Sequence, residues 1–210
     1  MKIIQGLYVL LLGMLLSEQA WSQAKTYGCS EAEKKMVTAE HKRASAYVKA
    51  AQKLMEQADP ILKKSDLITS ALKEVYDIRS INAETIPLLR RLQKSLKNIA
   101  ENIDPTLYYC ADSQDFLFCW NNSSASVPPP KIEVVLCPNF LKDTSRGMWE
   151  VGLLIHEQGH KNGGLAFDYY PETYGAKINN LPSWQRLRQS DALVKFVLLI
   201  AAPSSNFKLY

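Results

Sequence analysis

Two histidines four residues apart are the part of this sequence with the clearest chemistry. His156 and His160 enclose Glu157 in the pentapeptide HEQGH. Residues at i and i+4 are one helical turn apart, so both imidazoles project from the same face of a helix. Two such rings can bind a zinc ion, and the glutamate between them can take a proton from a water bound to that zinc. The spacing therefore predicts metal-assisted hydrolysis.

The residues around the pentapeptide favour a metal site over an ordinary polar helix face with two solvated histidines. Residues 148–155 are apolar enough to form a core helix, and Gly163-Gly164 supplies a stop. Trp149 and Leu153 lie on the same helical stripe as the two histidines, which predicts that the histidines continue a buried face. Buried histidines need polar partners, and a metal ion is one.

A catalytic zinc usually takes three protein ligands and leaves one position for water. The metzincin class places a third histidine six residues after the second, but Ala166 occupies that position here and no histidine remains downstream, which excludes this class. The third ligand must then be a carboxylate. After the pentapeptide the chain offers three of them, Asp168, Glu172 and Asp191.

The segment after the pentapeptide resembles the GTxDxxYG signature of the aspzincin metallopeptidases, the family of the deuterolysins and lysine-specific metalloendopeptidases. It reads FDYYPETYG over residues 167–175, with five residues instead of two between the aspartate and the Tyr-Gly pair. Residues 27–30, 132–140 and 190–196 resemble the family's opening segment, its strand before the zinc helix and its terminal NADSY segment. The resemblance covers most of the chain after residue 24.

The resemblance implies one zinc ion per chain, bound by His156, His160 and Asp168. The longer spacing after Asp168 keeps Glu172 open as an alternative third ligand. We expect Asp168, because a short side chain on a nearby loop suits a tight inner-sphere bond. The resemblance does not make Asp191 a ligand.

The resemblance also implies catalytic and specificity roles. Glu157 would be the general base, and Tyr174 would stabilise the oxyanion. Asp191 corresponds to an acidic position near the S1′ pocket, where it would favour lysine or arginine at P1′. Val194 stands three residues further on, so a second carboxylate on that face is missing and we expect a preference without strict selection.

The first 24 residues read as a signal peptide. Lys2 precedes an apolar run over residues 7–16, and Ser22-Gln23-Ala24 forms a small-x-small cleavage site. The apolar run is too short to span a bilayer, although an uncleaved anchor is an alternative. We therefore expect a secreted or periplasmic protein without stable membrane association after signal cleavage.

The charge of the chain argues against nucleic acid as a partner. The net charge is +4, and no basic patch carries interleaved aromatic residues. We expect a peptide or protein substrate and a monomeric protein.

The four cysteines should form two disulfides, because an even number in an exported chain is typical of a disulfide framework. Three pairings are open. Cys119 and Cys137 flank a proline-rich loop and could close it locally, in which case Cys29 and Cys110 would join the N-terminus to the middle of the chain. The cysteine positions of the resembling family favour the same pairing, which we predict.

The apolar periodicity predicts a mainly helical α+β fold. Residues 25–210 should form a single zincin-like domain with a helical half (25–106) and a sheet and catalytic half (107–210). A capping box at Ser30 and Glu33 opens a first helix that ends at Asp59-Pro60. A second helix covers residues 67–78, and a third follows Thr85. His41, on the first helix, is expected at the surface.

The second half changes to short β-like runs over residues 107–110, 116–120 and 132–137, which predict a small sheet with a hairpin. Residues 121–130 are expected to form a loop. The zinc helix and a C-terminal helix over residues 183–200 complete the domain.

Two other functions compete with an endopeptidase. One is an exported zinc-binding or adhesion protein without activity, against which Glu157 argues because structural zinc needs no base. The other is an amidase that acts on cell-wall peptides with the same zinc chemistry.

Overall fold

The computed structural model describes residues 24–57, 66–113, 118–119, 123–142, 148–165 and 181–202. These residues confirm the mainly helical α+β class. In chain order they form β1 (Lys25–Tyr27), α1 (Glu31–Gln57), α2 (Asp66–Tyr76), α3 (Ile86–Asn102), β2 (Leu107–Cys110), β3 (Ala125–Ser126), β4 (Glu133–Leu136), α4 (Pro138–Lys142), α5 (Met148–Lys161), α6 (Ser183–Arg186) and α7 (Ser190–Ala201). The predicted signal peptide and the Asp59-Pro60 helix end lie outside the described residues.

The three predicted N-terminal helices are confirmed, and α1 begins with the predicted capping box. The backbone N–H of Ser30 donates to Glu33 Oε2 over 2.6 Å, and the N–H of Glu33 donates to Ser30 Oγ over 3.3 Å. The apolar faces of the three helices are buried together in the core. Helix α7 packs against α1, α2 and α5, so the core lies between the N-terminal helices and the two helices that carry the predicted site.

The small sheet covers one side of the helices. Its strand order is β1-β2-β4-β3, with β1, β2 and β4 parallel and β3 antiparallel to β4. Tyr108 of β2 pairs with Val134 of β4, and both side chains are fully buried. β3 and β4 are consecutive antiparallel strands and form a hairpin, although one of its strands lies where the sequence predicted a loop.

Both predicted disulfides are confirmed. Cys29 joins Cys110, which ties the start of α1 to β2, and Cys119 joins Cys137 at the end of β4. Two disulfides are consistent with an extracytoplasmic location. Among the described helices, none is long and apolar enough to cross a bilayer.

One prediction about local structure is tested at only two residues, and another is wrong. Of the predicted strand at 116–120, only Phe118 and Cys119 are described; they lie in a turn and a bend and not in a strand, and the other three residues lie outside the described ranges. The predicted loop at 121–130 contains β3, because Ala125 and Ser126 pair with the open edge of β4. Tertiary pairing here overrides the local loop composition.

The predicted C-terminal helix is divided into α6 and α7. The backbone of Gln189 is extended, with φ −96° and ψ 129°, and this interrupts the helix immediately before α7. Arg186 ends α6 with a buried guanidinium that donates to the carbonyl oxygens of Leu181 and Val75. The break allows α7 to start beside α5.

His41 is buried and not at the surface as expected. Its side chain is fully covered, and its Nδ1 lies 2.9 Å from the hydroxyl of Tyr108. The sequence of α1 shows which of its residues share a face. It does not show which of those faces neighbouring elements cover, because that depends on tertiary packing.

Candidate metal centre

Helix α5 positions the two histidines one turn apart near its C-terminal end. After Lys161 the chain turns back, and the N–H groups of Gly163 and Leu165 donate to the carbonyl oxygens of Gln158 and Gly159. Gly164 has φ +67°, a left-handed conformation that glycine adopts without steric cost. The predicted glycine stop thus brings the backbone of residue 165 beside the ring of His160.

The two imidazoles converge through their Nε2 atoms. His156 Nε2 and His160 Nε2 lie 3.1 Å apart, and the ring centroids are 4.8 Å apart. Two nitrogens that bind one tetrahedral zinc at about 2.0–2.1 Å each are separated by roughly 3.3 Å. The spacing of the rings therefore fits a shared zinc ion.

Hydrogen bonds on the other ring nitrogens define which nitrogen each histidine offers. His156 Nδ1 lies 3.0 Å from Asp191 Oδ1, and His160 Nδ1 lies 3.2 Å from the carbonyl oxygen of Leu165. A carboxylate and a carbonyl can only accept, so each Nδ1 carries a hydrogen, and in the neutral form of either ring Nε2 then carries the lone pair. A cation between the two Nε2 atoms would be bound by both rings at once.

The start of α7 lies against both histidines. Asp191 contacts His156 as described above, and the hydroxyl of Ser190 lies 3.3 Å from His160 Nε2, to which it can donate. The carbonyl of Leu165 and the hydroxyl of Ser190 were not singled out from the sequence. A glycine inside the HEQGH helix was a sequence signal that another element packs closely there. In the structure that element carries Ser190, whose Oγ would lie 2.8 Å from a Cβ on Gly159.

A buried polar network fixes the opposite side of α5. Gln158 Nε2 donates to Thr106 Oγ1 over 2.9 Å, and Asn162 Nδ2 donates to Gln158 Oε1 over 2.6 Å. Gln158 also hydrogen bonds to Tyr108, whose hydroxyl reaches His41. Burial lowers the pKa of His41, because a charged imidazole would lose its hydration there.

Glu157 lies between the histidines in the sequence and is buried, with 4% of its surface exposed. Burial is the main cause that raises the pKa of the Tyr108 phenol. The negative charge of Glu157 is close enough to raise that pKa further. The predicted base therefore lies in a poorly hydrated environment, where its charge interacts strongly with neighbouring groups.

The other predicted site residues are only partly placed. Asp168, Glu172 and Tyr174 lie outside the described residues, so their roles stay predictions. Within the ranges described, no third histidine, cysteine or acidic side chain joins the pair as a metal ligand. Asp191 lies on the Nδ1 side of His156, away from Nε2.

The face that carries the histidines is half-buried and not fully buried as the apolar stripe predicted. Trp149, Leu153 and both histidines each keep part of their surface exposed. The side chain of His156 is 14% exposed. Partial exposure suits a site that a substrate must reach.

One comparison with known proteins identifies the fold. The chain is similar to the solved structure of a zinc peptidase from Grifola frondosa, with a TM-score of 0.60 and 18% sequence identity over 80% of this chain and 96% of that chain. No protein-family model and no curated protein matches by sequence. The chain therefore has the fold of a zinc peptidase, and the resemblance seen in the sequence is confirmed at the level of the fold.

Proposed function

We propose that this protein is an exported, zinc-dependent metalloendopeptidase of the aspzincin type. The observation that carries the proposal is the approach of the two Nε2 atoms to 3.1 Å, while the Nδ1 atom of each ring faces a hydrogen-bond acceptor. The fold shared with a zinc peptidase supports it.

His156 and His160 would hold the zinc ion through Nε2, and Asp168 is the expected third ligand, with Glu172 as the alternative. A zinc ion held there would supply the Lewis acidity needed to polarise the scissile carbonyl and to lower the pKa of water. Half-buried imidazoles suit this ion, because histidine binds metals through the neutral form of its ring.

The remaining steps belong to residues of the chain. Glu157 takes a proton from the attacking water and passes it to the leaving amine, a contribution of about 10²–10⁴-fold. Tyr174 donates to the oxyanion of the tetrahedral intermediate, where one lost donor costs about 10²–10³ in kcat. One proton thus moves from water to Glu157 and from Glu157 to the leaving amine, and Glu157 returns to its starting state.

Export and the monomeric state are part of the same proposal. The signal-like first 24 residues and the two disulfides support export. The modest charge of +4 gives no reason to expect a polyanionic partner.

Zinc analysis combined with cleavage assays tests the proposal. The mature protein should contain one zinc per chain, cleave casein, lose activity with a chelator and regain it with zinc. The chain has three histidines, which provides a matched control: His156→Gln and His160→Gln should lose zinc, whereas His41→Gln should keep it.

The rival functions give different results in the same assays. Zinc at full stoichiometry without cleavage of any peptide would favour an inactive zinc-binding protein. Cleavage of cell-wall peptides but not of casein would favour an amidase. A wild-type protein that binds no zinc would contradict all three.

A further inference from the structure

We propose that Asp191 is a positioning residue of the metal centre, which holds His156 in the tautomer and orientation that bind zinc. The proposal rests on the zinc-binding role proposed above for the two histidines. This role differs from the one predicted from the sequence, in which Asp191 binds a basic P1′ side chain of the substrate.

Two consecutive residues of α7 contact the two histidines, which lie one turn apart on α5. Asp191 Oδ1 accepts from His156 Nδ1 over 3.0 Å, while Ser190 Oγ lies 3.3 Å from His160 Nε2. The side chain of Asp191 is 28% exposed, and that of His156 is 14% exposed. A contact between two largely covered side chains is held by packing and is poorly screened by solvent.

The chemistry of this contact determines what His156 can bind. A neutral imidazole has one N–H, and Asp191 keeps it on Nδ1, so that the lone pair of Nε2 faces His160. A carboxylate on the far nitrogen also makes the metal-binding nitrogen a stronger donor. Partners of this kind, when removed, typically weaken metal affinity by about 10–100-fold.

The residues that follow Asp191 on α7 place no second acid beside it. Asp191 is the acidic residue in the first turn of α7, and Lys195, one turn further on, pairs with Glu74 over 2.9 Å. Val194 is buried in the core, so it places no second charge beside Asp191.

The experiment measures zinc affinity and P1′ preference in the same set of full-length variants. Asp191→Asn, Asp191→Ala and Asp191→Glu are compared with wild type by zinc competition against a chromophoric chelator. The absorption spectrum of the cobalt-substituted protein reports the ligand geometry. Glu74→Gln is the matched control, because it removes a carboxylate that also contacts α7 but lies away from the histidines.

We expect Asp191→Ala to bind zinc about 10–100-fold more weakly and to change the cobalt spectrum. Asp191→Glu should recover part of the affinity, and Glu74→Gln should match wild type. The ranking of P1′ residues in a peptide library should be the same in wild type and Asp191→Asn. Thermal unfolding of the zinc-free proteins identifies any variant that fails to fold.

Unchanged zinc affinity in folded Asp191→Ala overturns the proposal, with or without a shift in P1′ preference. A shift away from lysine and arginine at unchanged affinity would show that Asp191 reads the substrate. Because affinity is measured without turnover, a wild-type protein that binds zinc but cleaves nothing refutes the proposed activity and leaves this test intact. A wild-type protein without zinc refutes both.

Discussion

Gly159 of α5 packs directly against Ser190 of α7, so closely that a Cβ at position 159 would lie 2.8 Å from Ser190 Oγ and 3.1 Å from Leu165 Cδ1. Real Cβ contacts are essentially never shorter than 3.0 Å. The glycine in HEQGH therefore permits the close approach that places Ser190 and Asp191 against the two histidines.

Gly159→Ala should destabilise the protein by about 1–3 kcal/mol, because an added methyl group forces the two helices apart. Chemical denaturation measures the change. Ser190→Gly removes the hydroxyl that the methyl group would meet, so the double variant should lose less stability than the sum of the single variants. Additive losses would show that the Gly159–Ser190 contact is not the cause.

Glu157→Gln should keep zinc and fold but lower kcat by about 10²–10⁴-fold, because the amide cannot accept the proton of the attacking water. Metal analysis and peptide turnover measure the two effects. Glu150→Gln is a matched control on the same helix: Glu150 is buried, and among the described residues its carboxylate oxygens have no hydrogen-bond partner. Equal losses of turnover in the two variants would contradict a specific role for Glu157.

The burial of His41 should make stability depend on pH. Its pKa is lowered in the folded protein, mainly by burial and against the opposing pull of Asp104. As pH falls through about 6.5, the unfolded chain binds a proton that the folded protein does not, so stability is present above this pH and is lost below it.

The slope from this one histidine is at most about 1.4 kcal/mol per pH unit. His41→Gln should reduce the decline in unfolding free energy between about pH 7 and pH 5, with both proteins measured at the same zinc loading. Parallel curves for the variant and the wild type would show that His41 takes no part in the acid response.

The two disulfides should contribute unequally to stability. They close sequence separations of 81 residues for Cys29–Cys110 and 18 residues for Cys119–Cys137. The loop-entropy relation gives roughly 4.5 kcal/mol for the first and roughly 3 kcal/mol for the second. Paired cysteine-to-serine variants and denaturant unfolding measure both values, and a larger loss on removal of the shorter bridge would contradict this order.

Local signals in the sequence were sufficient for several elements. The capping box at Ser30 and Glu33, the apolar periodicity of α1 to α3 and the glycine stop after Lys161 each involve residues within a few positions of one another. Such signals do not require knowledge of the rest of the fold. The i, i+4 spacing of His156 and His160 is of the same kind.

Contacts between distant parts of the chain were not visible in the sequence. β3 exists because Ala125 and Ser126 meet the open edge of β4, and α7 begins where the extended Gln189 interrupts a continuous helical pattern. His41 is buried because Tyr108, far away in the sequence, lies over it. Periodicity assigns such residues to a face but does not identify the neighbour of that face.

The sequence by itself determined that two imidazoles lie on one side of a helix, since residue types and a one-turn spacing are sufficient for this, and from it came the prediction of metal-assisted hydrolysis. Only the tertiary structure decided which nitrogen each imidazole offers. That choice depends on Asp191 and on the carbonyl of Leu165, which packing of α7 and the turn after α5 bring to the Nδ1 atoms. A neutral histidine ring can carry its proton on either of two distinct nitrogens, and a hydrogen-bond partner on one of them selects the tautomer.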